Sequence, residues 1–464
     1  MHIDSIVAQF LAAVRDHDFA LAKSLFDEHP TLTHDNIHAA AAVGDATVVR
    51  TLLHANPSLA TDSATPGEVP PLVYGVTSDL KRLLGVSDEA HVDTVRALLD
   101  AGADPNTHVP LPDVSEGIPV LYFPCVSNTV GVARLLLERG AKPDDGESLY
   151  HAAEHDHREC LELLLEFGAD LSGANPGTGN TPLHFLAAHT VSNELAPSVQ
   201  RGMAWLLDHG ADPNVRSQSS ASGAVLPGGS ETPLLRAAAS GFDAAVMQLF
   251  IDHGAVVDAA RGDGKTAYTM AVRVGNTSAA VCLARAGADV SRLSPVDQLL
   301  GACALADETV ARAILADHPD VIAQATPEDR QALGRAVSDN RADVVRTMVA
   351  VGWPLNEEGE WGGTPLHWAA WNARVAMVTL LLQHGAPVNV CDSRYGSSPI
   401  AWAAHGSRWS GHGTDDEYVA ITTMLLDAGA TRAESFNFWN EALESFARPA
   451  VLRVLTKRGF VPPS

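Results

Sequence analysis

Nothing in this 464-residue chain approaches the roughly 20 consecutive apolar residues that a membrane-crossing helix needs. The N-terminus also lacks the basic stretch and long apolar core of a secretory leader, so a cytoplasmic protein without membrane contact is expected. Cysteine is scarce. Cys125, Cys160, Cys282, Cys303 and Cys391 are odd in number, far apart and without a C-x-x-C pair. That usage excludes a disulfide scaffold and points to free thiols in a reducing compartment. Positive charge is in deficit, with 31 basic against 56 acidic residues and a formal net charge of −25. Such a surface repels phosphate backbones, which argues against nucleic acid and in favour of a protein or peptide partner, basic in character, or a small ligand. No G-x-S-x-G and no Cys/His pair at a known catalytic spacing occurs, and no motif asks for a cofactor.

What is present is repetition. Thr364-Pro365-Leu366-His367-Trp368-Ala369-Ala370-Trp371 leads through Leu380-Leu381-Leu382 to His384-Gly385-Ala386. Thr364 suits a helix N-cap and Pro365 the first helical position, where no N–H is needed. Ala369 and Ala370 let a second helix approach closely, the leucines give it an apolar stripe, and Gly385 ends it in the left-handed conformation. The same grammar recurs at Thr181-Pro182-Leu183-His184 with Gly210-Ala211, and at Thr232-Pro233-Leu234-Leu235 with Gly254-Ala255. It returns at Asp263-Gly264-Lys265-Thr266 with Gly287-Ala288, and at Ser398-Pro399-Ile400-Ala401 with Gly429-Ala430. Gly254 and Gly287 are 33 residues apart and Trp368 and Trp402 are 34 apart.

This pattern resembles the ankyrin repeat, whose period is about 33 residues and whose first helix opens with T-P-L-H. The resemblance covers practically the whole chain. It implies an all-α fold: an α-solenoid of helix–turn–helix units joined by β-turns or short hairpins. About twelve units are expected in one continuous array. Residues 1–34 would form an N-terminal capping repeat, 35–435 the repeats, divergent over 290–356, and 436–464 a C-terminal cap. Insertions between paired helices fall at roughly Thr77 to Ala90, His189 to Val199 and Gly406 to Asp416. A polar stretch, Ser217 to Gly229, lengthens one turn. Long loops in repeat arrays often map to one functional face.

Two short motifs imitate chemistry. His151-Ala152-Ala153-Glu154-His155 has the H-x-x-E-H spacing of some zinc enzymes and puts both histidines on one helical face. His151 nevertheless stands at the T-P-L-H histidine position, where the resemblance implies a ring bonded to backbone between repeats, and no metal site is expected. Gly264-Lys265-Thr266 echoes a phosphate loop, but Ala259 replaces the glycine that such a loop requires.

The resemblance also places the residue after the T-P-L-H histidine on the concave binding surface. There the chain has Tyr74, Tyr122, Phe185, Arg236, Met270, Arg335, Trp368 and Trp402. Three residues further on come His155, Arg273, Trp371 and His405. Helices pack about 8–10 Å apart, so Trp368, Trp371, Trp402 and His405 should share a patch. Six of the eight tryptophans lie between Trp353 and Trp409, Trp361 among them. Clustered amphipathic rings are the material of binding hot spots. Arg236, Arg273 and Arg335 could pair with a ligand's carboxylate or phosphate, or with local carboxylates.

The expected function is therefore a non-enzymatic scaffold that binds a protein or peptide in its concave groove. The alternative is a small-molecule binder, for an apolar or anionic ligand, or an atypical enzyme. In that case the insertions would wall a pocket and His405, His412, Asp415 and Asp416 would be the acid/base candidates.

Overall fold

The computed structural model describes residues 3–63, 69–77, 79–111, 114–175, 178–189, 195–217, 230–432, 437–439 and 441–461. Almost every element among them is a helix. The strands are a single antiparallel hairpin, His108–Leu111 with Val114–Pro119, and an isolated bridge joins Ser217 to Glu231. The chain divides into two compact units, Met1–Ala267 and Tyr268–Ser464.

In both units helices come in consecutive pairs. In the first unit Ile37–Val43 precedes Ala46–Ala55, and Pro182–Ala187 precedes Ala196–Asp208. In the second unit Pro365–Trp371 precedes Val375–Gln383, and Pro399–Trp409 precedes Asp415–Asp427. The start signals act as the sequence suggests: Thr181, Thr232 and Ser398 are extended N-caps, each followed by proline. The stop signal is equally local. Gly385 sits at φ 84°, and the Ala386 and Gly385 amides donate back to the Leu381 and Leu382 carbonyls. This satisfies acceptors that a helix end would leave orphaned.

Neighbouring pairs are tied by two recurring bonds. The T-P-L-H histidines reach across to the next turn: His184 Nε2 donates to the Glu231 carbonyl at 3.1 Å and His367 Nε2 to that of Ser397 at 2.9 Å. Asparagines do the same between adjacent tips, since Asn106, Asn214 and Asn389 donate to the Gly140, Gly254 and Gly429 carbonyls. The remaining cohesion is apolar. In the second unit one continuous core runs from Val296 to Val461. The span 290–356, weak in sequence grammar, still folds as two helix pairs, Pro295–Ala304 with Glu308–Asp317 and Ala332–Ser338 with Ala342–Ala350.

Of the three insertions, the first forms a one-turn helix, Asp79–Leu83, packed on helices Phe19–Glu28 and Ile37–Val43. It fills a gap in the N-terminal layers rather than walling a groove. In the second, residues 190–194 lie outside the described residues and Ala196 to Val199 open the helix Ala196–Asp208; most of the Ser217 to Gly229 stretch also lies outside them. The third lengthens a helix, Pro399–Trp409, by more than one turn over its counterpart Pro365–Trp371.

A candidate aromatic binding cavity

The site begins at Asp392 in the turn before helix Pro399–Trp409. Its buried carboxylate accepts the backbone amides of Arg394 (3.0 Å), Tyr395 and Ser397 (2.9 Å), which folds the turn on itself. The same carboxylate accepts the Trp402 indole N–H at 2.9 Å. Trp402 is thereby held at the base of a depression, 7% exposed. Gly363 is needed there, because a Cβ on it would stand 2.7 Å from the Trp402 ring.

Around that floor the paired helices supply further rings. Trp368 meets Trp402 edge to face at 5.3 Å, and Trp371 does so at 6.1 Å. Trp371 stacks on His405 at 5.2 Å. Tyr395 comes from the Asp392 turn, 6.3 Å from Trp402. Trp361 stands in the preceding turn at φ 59°, with the Arg394 guanidinium 4.1 Å over its ring. The C-terminal segment closes the far side with Asn437, Trp439, Glu441 and Phe446. Together these residues, with Ser397 and Ala401, line a cavity of about 480 Å³. Trp361 and Trp439 are 47% and 66% exposed, so the rim opens to solvent while the Trp402 floor is buried.

The polar groups of the lining are few and mostly engaged. Asn437 donates from its amide to Glu441 at 2.8 Å, and its own oxygen accepts the Trp439 and Glu441 amides. Burial holds the His405 imidazole below its ordinary pKa, and the Glu441 charge only partly counters it, so this ring is neutral at physiological pH.

The predicted residues divide accordingly. Trp368, Trp371, Trp402, His405 and Trp361 meet in the cavity. Trp409 packs on His405 at 4.4 Å but is not part of the lining. Trp353 is core, its indole donating to the Arg330 carbonyl. Of the acid/base candidates only His405 faces the cavity. Asp415 pairs with Arg448 at 3.1 Å, Asp415 and Asp416 occupy the first turn of a helix, and the His412 amide donates to Ser410 Oγ. Those three do not join His405 in one site. Tyr395, Asn437, Trp439, Glu441 and Phe446 were missed in sequence. The one available signal was the Phe438-Trp439 pair in a polar stretch.

Of the other surface candidates, Tyr74, Arg236 and Arg273 are enclosed rather than presented to a partner. Tyr74 is 2% exposed and packs edge-on against His38. Arg236 is buried: it donates to Glu231 at 2.5 Å and to Asn180 at 2.8 Å. Arg273 is equally enclosed, between Asp297 and Asp329. Arg335 is exposed and donates to the Glu328 carbonyl at 3.1 Å. In each buried case a desolvated guanidinium has been matched by carboxylates of its own unit.

Tyr122 and Phe185 flank His151, each at 5.0 Å. His151 does not bond to backbone across repeats. It pairs instead with Glu154 at 2.7 Å and Glu147 at 3.3 Å, and His189 also reaches Glu154 at 3.2 Å. Burial alone would lower the His151 pKa, but those carboxylates outweigh it and hold it at about 9. No group among the described residues has the arrangement of a metal site. None of the described helices is long and apolar enough to cross a membrane.

Successive helix pairs, N-capped by Thr-Pro or Ser-Pro and tied by histidine and asparagine bridges, define a helical-repeat scaffold. The family model described as ankyrin repeats (3 copies) matches residues 83–175, 125–217, 299–392 and 333–410, together more than half of the chain. The chain belongs to the ankyrin-repeat family. The matched spans establish the type of repeat and not the number. Ankyrin repeats indicate a protein-interaction scaffold. Similar proteins include the BTB/POZ domain and ankyrin repeat-containing protein NOOT1 of Medicago truncatula, 40% identical, and Regulatory protein NPR5 of Arabidopsis thaliana, 39% identical. Each match runs over 87 residues, 18% of this chain and 16% of the relative. Among solved structures the human ASB11 ankyrin repeat domain aligns with a TM-score of 0.39 and 24% identity, over 55% of this chain and 98% of that one.

Proposed function

We propose that the chain is a non-enzymatic scaffold whose second unit holds a basic peptide segment of a partner protein at the aromatic cavity. The observation that carries this reading is the lining itself. Seven large aromatic side chains and one histidine converge on a space of about 480 Å³, where Glu441 is the only charged member among the described lining residues. Buried and half-buried rings at the centre of a surface depression are what dominate binding energy at protein interfaces. The excess of 56 acidic over 31 basic residues favours a cationic partner and speeds its approach.

The test uses fluorescence-labelled peptide pools of fixed length, graded from acidic to basic, titrated onto the full chain and onto its Trp439→Ala variant. Trp439 is 66% exposed, so its truncation leaves the fold within about 0.5 kcal/mol of the parent. Basic pools should bind the parent and be lost from the variant. Equal binding by both proteins, or a preference for acidic pools, removes the cavity from the function. A small volume of this kind also suits a compact apolar ligand, and pool-independent binding of a neutral hydrocarbon probe would favour that second reading.

A further inference from the structure

We infer that the cavity recognises a methylated ammonium group, presented on a lysine side chain of the bound peptide; this rests on the peptide-binding reading above. The argument starts from what the cavity offers a cation. Trp361, Trp368, Trp371, Tyr395, Trp402 and Trp439 present ring surfaces, whose negative quadrupoles attract positive charge. Glu441 adds one carboxylate at the rim. The Asp392 carboxylate lies behind the Trp402 indole N–H, which polarises that ring in the favourable sense. His405 is held neutral and brings no repulsion. The structure already contains one such pairing, since the Arg394 guanidinium sits over Trp361 at 4.1 Å. That arginine is not itself part of the lining, and it is engaged by the Trp361 ring and by Tyr395 at 5.8 Å.

What the cavity does not offer decides between cations. An unmodified lysine ammonium is a strongly hydrated point charge with three N–H donors that need acceptors. Here the Asn437 side-chain oxygen already accepts the Trp439 and Glu441 amides, and the indole rings offer no acceptor at all. Glu441 and the few neutral acceptors of the lining would have to satisfy all three donors at once, and any donor they miss is stranded in a ring-lined space at a desolvation cost. Each methyl group removes a donor, spreads the charge and adds apolar surface against the rings. The di- and trimethylated forms therefore fit, and the bare ammonium does not.

The experiment titrates the full chain with Nα-acetyl-Nε-trimethyllysine amide and follows tryptophan emission. The comparison probes are the unmethylated amide, the neutral isostere carrying a tert-butyl group in place of trimethylammonium, and free tetramethylammonium. The trimethyl form should bind at least about tenfold more tightly than both the lysine and the neutral isostere. Trp439→Ala should abolish that preference, and Glu441→Gln should reduce it several-fold. Equal affinity for the charged probe and its neutral isostere overturns the inference, because the cavity would then be merely apolar. Tight binding of tetramethylammonium with none of the lysine derivative overturns the peptide as its source. If basic peptide pools bind in a Trp439-dependent way while methylation changes nothing, the inference fails and the peptide reading survives. If no pool and no probe is bound, both fall.

Discussion

The neutral histidines that stitch the repeats together should make the second unit sensitive to mild acid. His367 is fully buried. Its Nδ1 accepts the Thr364 amide at 3.1 Å and so carries no proton, while Nε2–H donates to the Ser397 carbonyl. Protonating Nδ1 would set one N–H against another. Burial is the main influence and holds the ring's pKa at about 4, against an ordinary 6.5. Between those values the unfolded chain carries a proton here and the folded chain does not, so stability falls as pH drops from 6.5 towards 4. At about 1.4 kcal/mol per unit over roughly two and a half units, the loss is about 3 kcal/mol. Seven of the eight tryptophans, all except Trp205, lie in the second unit, so their emission during urea unfolding reports that unit. The His367→Gln variant loses the bond but also the titration. The stability difference between parent and variant should shrink by about 3 kcal/mol across this window. Asp339, raised by burial, and the depressed His405 titrate in both proteins and cancel in that difference. A difference that stays flat between pH 6.5 and pH 4 would refute the assignment of the ring as neutral and structural.

Arg236→Met leaves Glu231 buried without its guanidinium and should destabilise the first unit by about 3–5 kcal/mol, read as faster amide exchange along Pro233–Ala239. Adding Glu231→Gln should recover most of the loss. In the second unit, a Cβ at Gly406 would stand 2.6 Å from the Trp371 carbonyl oxygen. Gly406→Ala should therefore push apart the two helices that carry Trp371 and His405. The expected loss is about 1–3 kcal/mol in urea unfolding, together with weaker binding at the cavity.

Much of this architecture was legible in sequence because its signals are local. A Thr-Pro start and a Gly-Ala stop each act within one helical turn, and their spacing carried the repeat even where identities drifted. The tryptophan patch was legible for the same reason: Trp368 and Trp402 occupy equivalent places one repeat apart, and packing geometry then brings them together. What lay beyond reach came from non-local closure. Tyr395 belongs to a turn organised by the Asp392 carboxylate, and Trp439, Glu441 and Phe446 arrive from a segment whose repeat grammar has ended.

The arginines show why register alone does not define a binding surface. Arg236 and Arg273 stand in positions that family resemblance assigns to the concave face, just as Trp368 and Trp371 do. A guanidinium brings five donors, and in a chain with an excess of carboxylates these find partners at once: Glu231 and Asn180 for Arg236, Asp297 and Asp329 for Arg273. Their charge is neutralised within the fold and nothing remains for a ligand. An indole has one donor, and for Trp402 the buried Asp392 accepts it. Its faces then have no further polar demand, and no amount of internal carboxylate consumes them. In so acidic a protein a position keeps its chemistry for a partner when the protein's own charges cannot satisfy it. The ring faces around Trp402 meet that condition, which is why the proposed binding is assigned to them.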